Sequence, residues 1–202
     1  MVKRPKSLFV FLLCLCSSVV GQRYFPDHAF EQQDKRNDFV VGWYSGQLRA
    51  LKEPSLWQMS KDVQSEQAYR FLWLRSFHHP VAVRLEVQPD GSGILTTKVT
   101  SGAGGYEPGK LIEDSTKNVS KEAVRSFLAH VDEVKYWSLP TSEPANPNIV
   151  ALDGAEWVLE GVRNGAYKIV DRWSPEKGPI RDLVLTMTID LAGMKLLYQD
   201  VY

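Results

Sequence analysis

The chain has 202 residues, with 24 basic and 24 acidic side chains and a formal net charge of zero. This length suits one ordinary domain and leaves room for a short targeting segment. The balanced charge provides no basic excess for nucleic acid or for an anionic membrane surface, so we expect neither as a partner.

The N-terminus has the composition of an export signal. Three basic residues precede a short apolar run, residues 8–16, and small residues follow it. This order predicts a signal peptide over residues 1–21, with cleavage before Gln22. The apolar run is shorter than the roughly 20 residues that a membrane-spanning helix needs, so an uncleaved anchor is disfavoured. We expect a periplasmic or secreted protein with no stable membrane span.

Both cysteines of the chain, Cys14 and Cys16, lie within this predicted signal. Leucine precedes each of them where a lipoprotein would carry a small residue, which disfavours lipid attachment. The mature protein would have no disulfide, thiol nucleophile or thiolate metal site. Its charge would be −3, with 21 basic and 24 acidic residues.

The remaining sequence divides into a polar segment, 22–37, and a single α+β domain, 38–202. Apolar residues at helical spacing predict a first helix from Asp38 to Leu51, which Pro54 ends. A connector with an apolar anchor, Leu56 and Trp57, leads to the first strand.

Four strands are predicted next, from alternating side chains and intervening turns. They cover Tyr69–Phe77, Val81–Gln88, Gly93–Thr100 and Lys110–Val119. The third and fourth flank a glycine-rich loop, residues 101–109. This loop lacks the Gly-Lys-Ser/Thr of a phosphate-binding loop, and no helix follows it. We expect a mobile hairpin loop, with a ligand-gating flap as the alternative.

A second helix is predicted from its Ser120 cap to Val134, and a last helix from Pro179 to Leu197. Residues 140–148 form a proline-containing linker. The order is helix, four strands, helix, two strands, helix. Short connections favour antiparallel pairing. We therefore predict an antiparallel sheet of five to six strands with helices packed mainly on one face.

The clearest local structure is a β-hairpin. Two strand-like runs, Glu156–Arg163 and Ala166–Trp173, flank Asn164-Gly165. Both turn residues tolerate the positive φ of a type I′ turn, whose twist matches the strands. A two-residue loop sets Arg163 opposite Ala166, and the register that follows sets Trp157 opposite Arg172.

Two stretches resemble patterns found in a group of uncharacterised exported bacterial proteins. The first is DGAEWVLEGVRNGAYKIVDRWSP, from Asp153 to Pro175, and the second is YRFLWLRSFHHPVAVRLE, from Tyr69 to Glu86. The resemblance covers the chain from about Trp43 to its C-terminus. It implies a bacterial, exported protein and supplies no catalytic residues, because the group has no established activity.

One face of the hairpin is a candidate binding surface. It carries Trp157, Arg163, Lys168 and Arg172. Tryptophan and arginine dominate binding hot spots, and Trp157 and Arg172 are placed to stack. This favours a non-catalytic interaction domain whose partner is an envelope protein or a small ligand.

The opposite face of the hairpin carries the alternative. Glu160 and Asp171 are diagonal neighbours there, about 7–8 Å apart by strand geometry. Two carboxylates at such a separation can serve as acid and base in glycoside hydrolysis. A secreted hydrolase acting on carbohydrate is therefore the second hypothesis. Structural ion pairing explains such clusters more often, and we favour the non-enzymatic interpretation.

No metal or cofactor is predicted. The adjacent histidines of the first turn, His78 and His79, point in different directions and lack the spacing of zinc ligands.

Overall fold

The structure is a computed structural model that describes residues 22–30, 34–61, 67–143, 153–196 and 202. The predicted signal peptide lies outside these residues. None of the helices in the described part of the chain combines the length and apolar character needed to cross a membrane.

Six strands and four α-helices form the described fold. The strands are Gln67–Arg75 (β1), Val81–Val87 (β2), Gly93–Thr100 (β3), Leu111–Val119 (β4), Ala155–Arg163 (β5) and Ala166–Trp173 (β6). The helices are Asp34–Ala50 (α1), Leu56–Met59 (α2), Lys121–Glu133 (α3) and Pro179–Leu185 (α4). A 3₁₀ turn, Tyr136–Ser138, follows α3, and a π-helical segment, Thr186–Leu191, continues α4.

The strands form one antiparallel sheet in the order β4-β3-β2-β1-β5-β6. This confirms the predicted α+β class and the antiparallel sheet. The first hairpins follow the chain from β1 to β4, and β5 then returns to pair with β1. β1 therefore pairs with β2 on one side and with β5 on the other, and β4 and β6 form the edges of the sheet.

The β5–β6 hairpin has the predicted register. Arg163 pairs with Ala166, and Trp157 pairs with Arg172. Asn164 has φ of 52° and Gly165 has φ of 76°, so both turn residues adopt the left-handed conformation that the tight turn requires.

Helices cover both faces of the sheet. Helices α3 and α4 lie together on the face that carries Phe71 and Trp73 of β1. The longest helix, α1, packs on the opposite face against Leu72 and Leu74. Helices therefore cover both faces and not mainly one, because β1 carries apolar side chains on each of its faces.

The segment before α1 belongs to the fold rather than to a separate polar region. Tyr24, Phe25 and Phe30 are each at most 2% exposed. The rings of Phe25 and Phe30 contact Tyr44 of α1, with centroids 6.5 and 5.3 Å away. The boundary predicted at residue 38 therefore divides one hydrophobic core. The aromatic residues in 24–30 were outweighed in the sequence by the polar residues around them.

The predicted last helix changes its form midway. It is α-helical over Pro179–Leu185 and π-helical over Thr186–Leu191. Thr186 and Thr188 each donate a side-chain hydrogen bond to the carbonyl four residues earlier, at 3.1 and 2.7 Å. Such bonds compete with the regular helical pattern and bend helices. The predicted end at residue 197 lies outside the described residues.

Candidate functional site

Trp157, the centre of the predicted binding face, is buried. Its side chain is 0% exposed and packs against Phe71 and Trp73, with ring centroids 5.2 and 6.2 Å away. The guanidinium of Arg181 lies 5.8 Å from the ring centroid, in place of the predicted Arg172. Because β5 is an inner strand covered by α4, Trp157 belongs to the core and offers no surface to a partner.

Arg172 is also unavailable. It is 6% exposed and donates hydrogen bonds to the carbonyl oxygens of Thr141 and Pro140, at 2.9 and 3.0 Å. Its Nε lies 3.0 Å from Glu143 Oε1. The side chain thus fastens the segment after the 3₁₀ turn to the edge strand β6.

The other two predicted binding residues do not join a common patch. Arg163 is half-buried, pairs with Asp132 at 2.8 Å and covers the ring of Trp137 at 4.8 Å. Lys168 is half-buried. With Trp157 and Arg172 in the interior, the predicted aromatic and basic surface does not form.

The carboxylate pair of the hydrolase hypothesis is not arranged for catalysis. Glu160 is 0% exposed, and it accepts hydrogen bonds from Arg70 and from the hydroxyl of Tyr167 at 2.8 Å. Burial raises the pKa of Glu160, and the charge of Arg70 opposes that shift. Asp171 accepts a hydrogen bond from Tyr44 at 3.3 Å. The two carboxylates therefore have different protein partners, and Glu160 has no access to a substrate.

Glu160 belongs to a buried charge network that sequence analysis missed. Arg70 of β1 pairs with Glu160 on β5 and lies 3.5 Å from Glu53. Arg84 Nε donates to Glu53 Oε2 at 2.8 Å, and Lys98 Nζ lies 3.2 Å from Glu53 Oε1, close enough for an ion pair but not aligned as a hydrogen bond. All five side chains are buried.

The network sits beneath the turn that joins α1 to α2. Arg70 donates to the carbonyl oxygen of Pro54 at 2.5 Å, and Lys98 donates to that of Lys52 at 2.8 Å. Arg84 alternates with apolar residues, a pattern typical of a side chain that faces solvent, yet it is buried. The alternation assigns its face correctly, but the turn covers that face. Arg70 pairs with Arg84, and Lys98 lies two residues beyond Thr96, the β3 partner of Arg84. Basic residues on one face of three neighbouring strands were the available signal.

The histidines form no metal centre. The hydroxyl of Tyr202 lies 2.9 Å from His78 Nδ1, and His79 Nδ1 lies 2.8 Å from the carbonyl oxygen of Gly102. Across the described ranges, no group of three or more His, Cys, Asp or Glu side chains is arranged to hold a metal ion.

The glycine-rich loop between β3 and β4 is tied to α1 and to the β1–β2 turn. Trp43 Nε1 donates to Gly104 O at 3.0 Å. Gln47 Nε2 donates to Gly104 O and to Tyr106 O, at 3.2 and 3.0 Å. Gly104 in turn donates its N–H to His78 O at 2.9 Å. A loop with these bonds to both sides does not have the geometry of a gating flap.

Exposed aromatic side chains lie on this loop and beside the segments that contact it. Phe77 and Tyr106 are 63% and 64% exposed, and their rings stack with centroids 6.1 Å apart. Phe39 is 69% exposed beside Trp43, and Tyr202 is 38% exposed beside His78. We call the set Phe39, Phe77, Tyr106 and Tyr202 the aromatic rim. These are four of the six large apolar side chains that are exposed in the described part of the chain.

A cavity of about 180 Å³ lies elsewhere, between the N-terminal segment and α1. Its lining includes Arg23, Asp27, Asn37 and Arg49. It is smaller than the roughly 300–1,000 Å³ of typical small-molecule pockets. None of the predicted site residues lines it.

No protein-family model matches the chain, and no curated protein matches it. The resemblance to exported bacterial proteins therefore stays a prediction.

Proposed function

We propose that this protein is a non-catalytic binding domain that contacts another macromolecule through the aromatic rim. Export to the periplasm or beyond is part of the proposal and rests on the composition of residues 1–21. The hydrolase alternative has no comparable support, because Arg70 and Tyr167 occupy the carboxylate of Glu160 in the interior.

The observation that carries the proposal is the exposed stack of Phe77 on Tyr106. Large aromatic side chains normally bury most of their surface, and a group of them exposed together marks an interaction site. Aromatic residues also supply a large share of binding energy at interfaces.

The loop beneath the stack supports the same conclusion. Its backbone is held by Trp43 and Gln47, so Tyr106 is positioned before a partner arrives. A surface ordered in advance loses less conformational entropy on binding. The rim residues are exposed and none of them lines the cavity beside α1, which favours a macromolecule over a small ligand.

The proposal is tested by site-specific photo-crosslinking in the cells that make the protein. A photoreactive phenylalanine analogue replaces Tyr106, and in a control it replaces Glu133, which is exposed on α3. We expect a discrete adduct from position 106 that is absent at position 133. Phe77→Ala in the same chain should remove most of the adduct, because the stack then loses half of its surface.

Equal adducts at both positions would indicate nonspecific contact and contradict the proposal. So would an adduct that Phe77→Ala leaves unchanged. Circular dichroism and the thermal midpoint of Phe77→Ala should match those of the parent chain, since Phe77 is mostly exposed and its loss removes little buried area.

A further inference from the structure

The edge strand β4 is exposed on both of its faces. Residues 112–118 are all exposed, and in the described part of the chain β4 has a neighbour on one side only, β3. The other edge strand, β6, is partly covered, because Asp171 donates its N–H to Thr141 O at 2.7 Å. A long open edge is a template on which another strand can pair.

The direction of the backbone groups shows which residues of β4 face the open edge. Thr100 donates its N–H toward β2. Because backbone groups alternate in direction along a strand, its neighbour Val99 bonds toward β4. The partners of Val99 and of the alternate residues before it are residues 113, 115 and 117. The N–H and C=O groups of Asp114 and Thr116 therefore point to the open edge.

Symmetry limits how two copies of β4 can pair. A two-fold axis perpendicular to the sheet leaves the same face of both copies on the same side. Directly opposed residues of an antiparallel pair also point to the same side, so the axis must pass between two copies of the same residue. Axes at Glu113, Asp114 or Lys117 set identical charges opposite one another. An axis at Thr116 creates no opposite-charge pair. An axis at Ser115 sets Glu113 of each copy opposite Lys117 of the other.

We propose that the chain forms a symmetric dimer in which β4 pairs antiparallel with β4 of a second copy, centred on Ser115. The two sheets then become one continuous sheet. The open N–H and C=O groups of Asp114 bond those of Thr116 in the other copy. The positions of Glu113 and Lys117 are the non-hydrogen-bonded ones, where opposing side chains come closest.

The charges on β4 explain why a second copy is the partner that fits. Charged residues on an edge strand normally discourage pairing with other strands. Here the same charges are self-complementary in one register only. This proposal does not depend on the aromatic rim. The rim lies on the glycine-rich loop and beside the segments that this loop contacts, α1 and the β1–β2 turn, and none of its residues belongs to β4.

The first test is the mass of the purified protein in solution, measured by sedimentation over a wide concentration range. We expect a monomer–dimer equilibrium. Lys117→Glu and Glu113→Lys should each abolish the dimer, because each sets like charges opposite one another twice. The double variant Glu113→Lys/Lys117→Glu should restore it. Lys177→Glu, a charge reversal at an exposed position outside β4, is the control and should leave the equilibrium unchanged.

The second test reads the register. In a chain with Cys14 and Cys16 replaced by serine, Ser115→Cys should form an intermolecular disulfide. Opposing non-hydrogen-bonded residues have Cα atoms about 4.5 Å apart, within the range of a disulfide. Thr116→Cys should not crosslink, because its counterpart lies two residues along the strand. A monomer at every concentration, a dimer that survives both charge reversals, or equal crosslinking at 115 and 116 would each overturn the proposal.

Discussion

Arg70 and Glu160 lie directly opposite one another on β1 and β5, and Arg70 Nε donates to Glu160 Oε2 at 2.8 Å with both side chains fully buried. Their sequence positions are far apart, and only the return of β5 to the centre of the sheet joins them. The hydroxyl of Tyr167 completes the arrangement by donating to Oε1.

This pair predicts strongly non-additive effects on stability. Arg70→Met or Glu160→Leu alone leaves a buried charge without its main partner and should lower the free energy of unfolding by about 3–5 kcal/mol. The triple variant Arg70→Met/Glu160→Leu/Tyr167→Phe removes all three polar groups together. It should be more stable than either single variant, because apolar groups of similar size can replace a buried ion pair.

Urea denaturation followed by tryptophan fluorescence measures these differences. The losses would add in the triple variant if each side chain acted independently, and that result would contradict the coupling. Glu53 keeps Arg84 and Lys98 as partners in every variant, so it serves as an internal control for the rest of the network.

Glu53 predicts a dependence of stability on pH. Burial by itself raises the pKa of Glu53, but Arg70, Arg84 and Lys98 together outweigh burial, and the pKa lies below its usual value. A carboxyl whose pKa is lower in the folded chain stabilises the fold above the unfolded pKa, about 4.3 for glutamate. That contribution is lost as the pH falls through the folded pKa.

We therefore expect Glu53→Gln to lower the free energy of unfolding by about 3–5 kcal/mol near neutral pH, since it leaves buried cations without a counter-charge. The difference from the parent chain should shrink below about pH 4. Urea titrations at several pH values provide the measurement. Glu133→Gln on the exposed side of α3 is the control, with a change within about 0.5 kcal/mol. A difference between parent and Glu53→Gln that stays constant with pH would contradict the assignment.

Two glycine substitutions, one in the glycine-rich loop and one in α1, should have opposite effects on the stability of the fold. A Cβ on Gly104 would lie 2.6 Å from the backbone of Leu74, so the loop must shift to admit it. Gly104→Ala should destabilise the fold by about 1–3 kcal/mol. Gly46 in α1 has no atom within 4 Å of such a Cβ, and Gly46→Ala should stabilise the helix by about 0.5–1 kcal/mol.

Thermal unfolding followed by circular dichroism compares the two variants with the parent chain. Gly104→Ala should also weaken any adduct formed at position 106, because the shift separates Tyr106 from Phe77. A neutral effect of Gly104→Ala would show that the loop is not held as the hydrogen bonds from Trp43 and Gln47 require.

Several local features could be predicted from the sequence alone, because they depend on local chemistry. Asn164-Gly165 specified the turn and the register of the β5–β6 hairpin. Ser120 caps α3, accepting a hydrogen bond from Ala123 N at 3.2 Å. The alternation of β1 divides its side chains between two faces, with Phe71 and Trp73 on one and Leu72 and Leu74 on the other. These features depend on residues close together in the chain, where backbone preference and periodicity act directly.

Only the tertiary structure decided which of those faces meets solvent. The pairing of β1 with β5 made Trp157 and Glu160 interior, and the turn that carries Glu53 buried Arg84. The aromatic rim likewise forms where α1, the β1–β2 turn and the glycine-rich loop meet. Periodicity assigns a side chain to a face, but burial depends on which distant segment covers that face, and no local pattern carries that information.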